Sequence, residues 1–148
     1  MNPYNSLKLL LPALFCFTAC KNEEMKLSDF TSDGCSLFID GTFEDPDLWK
    51  ECCLKHDIAY WQGGTEEERE AADIAFRECV KKKTGNSELA EVMYQAVRKG
   101  GDPYFPTWYR WGYGWPIGRG YKPLTNEEEI LVHDKLETYY QNKNNSGI

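Results

Sequence analysis

Histidine is scarce in this chain. His56 and His133 are the only two in 148 residues, too few for the histidine-rich dinuclear centres of metal phosphohydrolases, although each is followed by an aspartate. Positive charge is also short: 17 Lys and Arg against 24 Asp and Glu give a formal charge of -7 and a pI near 4.9. Such a chain offers no basic face to a phosphate backbone, which excludes a nucleic-acid partner, and its acidic surface does not seek anionic lipid. No apolar run approaches the roughly 20 residues that span a bilayer as a helix. Internal repeats are absent, so nothing suggests a stacked array. What is left is room for one domain with a modest core, of a size at which exported proteins commonly add covalent staples.

Lys8 followed by the apolar run from Leu9 to Ala19 reads as an export signal over residues 1–19. Its end, Phe17-Thr18-Ala19-Cys20, resembles a bacterial lipobox, in which the cysteine carries lipid and becomes the mature N-terminus. Phe17 stands where an aliphatic residue is usual. The expectation is an exported lipoprotein held to the cell envelope through Cys20, with the polar residues up to Ser32 as a tether (20–32) and the domain proper at 33–148. Of six cysteines, Cys16 falls in the signal and Cys20 on the lipid; four are left, an even set able to form two bridges in an oxidising compartment.

One stretch, Trp49 to Trp61, holds two of those four cysteines and His56. As a helix it places Trp49, Cys52, Cys53, His56 and Tyr60 on one continuous face. Asp57, next to the histidine, projects about 100° further round and can serve a different neighbour. Asp45-Pro46 reads as the N-cap and first residue of this helix, and Gln62-Gly63-Gly64 as its end. Thr65-Glu66-Glu67-Glu68 is a capping box that opens a second helix running to about Lys83. A third is expected from Ser87 to Arg98 with Gly100-Gly101 after it, and a last from the capping box Thr125-Asn126-Glu127-Glu128 to about Gln141. Upstream, Asp33-Gly34-Cys35 and Asp40-Gly41 read as turns with exposed carbonyl oxygens. The fold class is therefore mainly α.

If the first two helices form an antiparallel hairpin bonded by Cys52 and Cys79, the ~1.5 Å rise per residue puts His56 about 6 Å, Asp73 about 9 Å and Tyr60 about 12 Å above the bridge. An aspartate at that level can accept from both His56 and Tyr60, fixing the imidazole and leaving its second nitrogen as a general base. Cys35 and Cys53 would then pair, since a bond between the adjacent Cys52 and Cys53 distorts a helix. That bridge draws the Asp33-Gly34 turn toward Asp57, and two carboxylates with turn carbonyls make an all-oxygen cage suited to Ca2+. Zinc held by the four cysteines with His56 is the weaker reading, because Cys52 and Cys53 diverge by about 100° and export favours disulfides.

Cys52-Cys53-Leu54-Lys55-His56-Asp57-Ile58-Ala59-Tyr60 resembles the catalytic signature of the secreted phospholipases A2, and Asp73-Ile74-Ala75-Phe76 is similar to the segment that supplies their dyad aspartate. The Asp33-Gly34-Cys35 turn resembles the calcium loop of the bacterial and fungal branch; the glycine-rich calcium loop of the animal enzymes is absent. The likeness covers roughly Asp33 to Val80. It implies two long antiparallel helices linked by disulfides, with His56 as base, Asp73 as its partner and Tyr60 in support. Asp57, Asp33 and the Gly34 carbonyl are implied as Ca2+ ligands, and the implied reaction is hydrolysis of the sn-2 acyl ester of phospholipids at a membrane or micelle surface by a monomer. The chief alternative is a lipid-binding or envelope-interaction module without catalysis, and a third reading is a secreted effector aimed at a foreign membrane.

From Tyr104 to Lys122 the composition changes to eight aromatic residues and four glycines, with Arg110, Arg119 and Lys122 and no acidic residue. This segment, 103–123, is expected to be irregular. Its tryptophans are read as structural cover with partial exposure, and the other reading is a surface for phospholipid headgroups.

Overall fold

The computed structural model describes residues 26–32, 34–35 and 39–146. Four helices and no strand occur among them. The signal and the lipobox cysteine Cys20 lie outside the described residues, as does Asp33. Among the described residues no helix is long and apolar enough to cross a membrane.

Helix α1 (Lys50–Gln62) starts later than Asp45-Pro46 suggests. The Asp45 carbonyl closes turns with the Thr42 and Leu48 N–H groups at 2.8 and 3.3 Å. Trp49 is tied backward, its backbone N–H to Asp40 O at 2.9 Å and its indole N–H to Ile39 O at 2.8 Å. These tertiary bonds hold the chain out of helical register until Trp49, which becomes an N-cap whose side chain caps no helix N–H. At the other end Gly63 has φ 67°, and a Cβ there would press on the Gly112 backbone, so the turn needs glycine twice over.

Helix α2 (Glu66–Thr84) carries the capping box of Thr65 and Glu68 and ends at left-handed Gly85 after three lysines, the charge order that its dipole favours. Helix α3 (Ser87–Gly100) is capped by the Asn86 side chain, which accepts from Leu89 N–H at 3.0 Å. Helix α4 (Asn126–Asn145) has the second capping box and runs one turn beyond Gln141. Two disulfides, Cys35–Cys53 and Cys52–Cys79, link α1 to the upstream turn and to α2, with Cα separations of 5.1 and 5.7 Å. Adjacent cysteines on α1 thus serve opposite neighbours.

The core has two parts joined by α1. Trp49, both α1 cysteines, Phe76, Val80, Ala90 and Met93 fill the contact between α1, α2 and α3. Leu27, Phe30, Trp61, Trp115 and Val132 form the other, against α4. The tether expected to end at Ser32 is accordingly shorter: residues 26–32 belong to the folded body. Leu27 and Phe30 bury apolar surface, Ser28 N–H donates to Gly114 O at 2.8 Å, and the Trp61 indole N–H donates to Ser28 O at 3.0 Å.

Segment 103–123 wraps the α1–α2 turn without regular structure. Trp111 and Trp115 are buried and donate their indole N–H groups to Gly64 O and Gln62 O at 2.9 and 2.7 Å. Buried Arg110 satisfies the segment's own carbonyls, Gly112 O at 2.7 Å and Trp115 O at 2.6 Å. Trp108 is 62% exposed.

Candidate active site

His56 and Tyr60 stand one turn apart on α1, and Asp73 faces them from α2. One carboxylate oxygen of Asp73, Oδ1, accepts from both: His56 Nε2 lies at 2.8 Å and the Tyr60 hydroxyl at 2.9 Å. Together with the Cys52–Cys79 bridge these contacts join the two helices at sequence separations of 27, 17 and 13, closing toward the Gly63-Gly64 turn. Asp73 is fully buried, at 0% exposure. Burial pushes its carboxyl up, but hydrogen bonds from His56 and Arg98 outweigh that and hold it below the ordinary carboxylate value. An ionised acceptor at Oδ1 requires the His56 proton on Nε2, which leaves the lone pair on Nδ1. Burial, followed by the neighbouring Asp73 charge, raises the Tyr60 hydroxyl well above its usual range, so it stays a neutral donor.

Two arginines complete the cluster. Arg98 of α3 donates to Asp73 Oδ2 at 2.8 Å. Arg69, one turn before Asp73, reaches the Tyr60 hydroxyl at 3.1 Å, the Tyr121 hydroxyl at 2.6 Å and the Arg98 carbonyl at 2.7 Å. Neither was singled out from sequence. The i, i+4 spacing of Arg69 and Asp73 is a signal for the first; Arg98 depends on where α3 crosses α2, which no local pattern reveals.

His56, Asp57 and Tyr60 line a cavity of about 560 Å³ whose other walls include Phe76, Val97, Trp108, Tyr109 and Tyr113. Residues 28–32 supply the remaining side through Ser28, Asp29, Thr31 and Ser32. A volume of this size with apolar walls and a few convergent polar groups suits an organic ligand with an apolar portion. The Gly101 backbone packs on the Tyr60 ring so closely that a Cβ would overlap it.

The residues implied as calcium ligands are brought together in part. Ser32 Oγ donates to Asp57 Oδ2 at 2.6 Å and accepts from the Gly34 N–H at 3.3 Å, so the hydroxyl bridges the Asp57 carboxylate and the Gly34 backbone. The Asp57 carboxylate and the Ser32 hydroxyl offer hard oxygens of the kind that Ca2+ takes, whereas the Gly34 group that meets Ser32 is an N–H, which donates and does not ligate. Asp40, not counted among the ligands, comes against Gly34 as well and accepts from Cys35 N–H at 2.6 Å. Asp57 belongs to neither of the compact ligand-type groupings found among the described residues, Cys35–Asp40–Cys53 and His133–Asp134–Glu137. In the first both sulfurs are bonded as disulfide, and the second is exposed on α4.

No family model, no curated protein and no solved structure matches this chain.

Proposed function

We propose that this chain is a calcium-dependent hydrolase of the sn-2 acyl ester of phospholipids, built on the paired antiparallel helices of the secreted phospholipases A2. The observation that carries the reading is the single Asp73 oxygen shared by His56 and Tyr60 beside an apolar cavity. A purely structural aspartate needs no histidine at a cavity wall.

In this reading the cavity receives an acyl chain and His56 Nδ1 takes a proton from a water. The water oxygen bonds to the ester carbonyl carbon, the bond from that carbon to the glycerol oxygen breaks, and the proton returns from His56 to the departing alkoxide. Asp73 keeps the imidazole in the required tautomer and favours its transient positive charge. Tyr60 and Arg69 hold the arrangement from behind. Asp57, Asp33 and the Gly34 carbonyl would hold Ca2+, which when bound supplies positive charge for the developing oxyanion and for the substrate phosphate.

A second reading, lipid binding without hydrolysis, draws on the same cavity and on exposed Trp108 at its wall, neither of which requires a base. Fatty-acid release from phosphatidylcholine mixed micelles separates the two. The hydrolase reading expects Asp73→Asn to lower turnover by a factor on the order of 10³–10⁴ while lipid binding persists. Parent protein that binds the micelles with calcium present and releases no fatty acid would leave the binding reading in its place.

A further inference from the structure

We infer that Arg98 is a positioning residue for His56, acting through the second oxygen of Asp73. Only its kinetic consequence rests on the hydrolase reading above.

The terminal torsion of an aspartate is broad, so a carboxylate held at one oxygen can turn its plane. In Asp73 the oxygen facing His56 and Tyr60 is Oδ1; Oδ2 accepts from Arg98 Nη1 at 2.8 Å, with Arg69 Nε farther off at 3.9 Å. With Arg98 in place Asp73 has no exposed surface, so Oδ2 takes its short bond from the guanidinium and not from bulk water. Without that donor the buried Oδ2 would lose its short charge-assisted bond, and the plane that aims Oδ1 at the imidazole would lose its far anchor.

Arg98 is itself fixed, and from the same helix that carries the aspartate. Arg69 Nη2 donates to the Arg98 carbonyl at 2.7 Å and to the Val97 carbonyl at 3.4 Å, in the last turn of α3. Arg69 is secured at its other end by the Tyr121 hydroxyl. The exchange is reciprocal: α2 holds the α3 backbone through Arg69, and α3 holds the α2 carboxylate through Arg98. Two guanidinium groups around one buried carboxylate leave a positive excess that a simple helix-to-helix staple does not require.

The test uses the full chain as parent, Arg98→Met, Arg98→Gln and Arg98→Lys. At one fixed pH, ¹⁵N NMR of the imidazole nitrogens reads the tautomer of His56; the other histidine, His133, is exposed on α4 and gives a separate reference. The parent should hold the Nε2–H tautomer. Arg98→Met should shift population to Nδ1–H, and Arg98→Lys, which keeps a charged donor without the planar fork, should recover part of it. With calcium and phosphatidylcholine mixed micelles, Arg98→Met should lose about 10- to 100-fold in kcat, as residues that orient another group typically do, with KM changed by less than about twofold. If Arg98→Met does not fold, Arg98→Gln decides by the same readings. A folded Met or Gln variant with the tautomer balance of the parent overturns the inference. Should the parent release no fatty acid, the hydrolase reading fails, and the tautomer measurement still decides for or against Arg98.

Discussion

Glu128 sits buried in the first turn of α4, and Arg119 grips both of its oxygens at 2.7 and 2.8 Å while lying 4.2 Å over the Trp115 ring. Hydrogen bonding from Arg119, partly opposed by burial and aided by the Thr125 backbone, holds the Glu128 carboxyl down to about 2 from 4.5. A depressed carboxylate stabilises the fold above its unfolded value, and that stability is lost as pH falls from about 4.5 through about 2. Acid unfolding followed by circular dichroism should therefore show Glu128→Gln less stable than the parent at neutral pH, the gap shrinking as pH falls from about 4.5 and closed near about 2; a gap unchanged with pH would count against the pairing. Residues that helical periodicity controls were legible in this way of reading. Cys52, Cys53, His56 and Tyr60 share a face because of their spacing, and once the Cys52–Cys79 bridge sets the register the rise per residue puts Asp73 level between His56 and Tyr60. Asp45 misled because its capping chemistry is local, whereas the bonds from Trp49 to Ile39 and Asp40 are tertiary and override it. Ser32 and Arg98 reach the site through the same kind of contact, and nothing near them in sequence announces it.

The element that composition marked most sharply, segment 103–123, divides its aromatics between two jobs. Trp111 and Trp115 close the α1–α2 turn, where each indole meets a backbone carbonyl. Trp108 and Phe105 are 62% and 52% exposed, and Trp108 also lines the cavity. Which tryptophan turns inward could not be read from a segment with neither a period of 3.6 nor of 2; only the abundance of glycine and proline pointed to irregular structure. Truncating a buried tryptophan typically costs about 3–5 kcal/mol, so Trp111→Ala should melt far below the parent. Trp108→Ala should melt with the parent and sediment less with phosphatidylcholine vesicles. Equal loss of stability in both variants would show that Trp108 is cover too.

At the scale of the molecule, one acidic helical body is stapled at Cys35–Cys53 and Cys52–Cys79, and its short leading segment 26–32 is folded into the wall of the cavity. The polar look of that segment hid Leu27 and Phe30, two apolar residues too few and too close together to signal a regular element. The helical class was legible because caps, charges and glycine agree at both ends of α2 and a capping box opens α4. The proposed calcium-dependent ester hydrolysis can be checked by following fatty-acid release from phosphatidylcholine mixed micelles while calcium is titrated from excess chelator into the millimolar range. Release should be absent in chelator, rise to saturation with calcium, and, with Asp57 as a proposed ligand, need at least about tenfold more calcium in Asp57→Asn. Release that is absent at millimolar calcium, or equal in chelator, would rule out calcium-dependent hydrolysis by this chain.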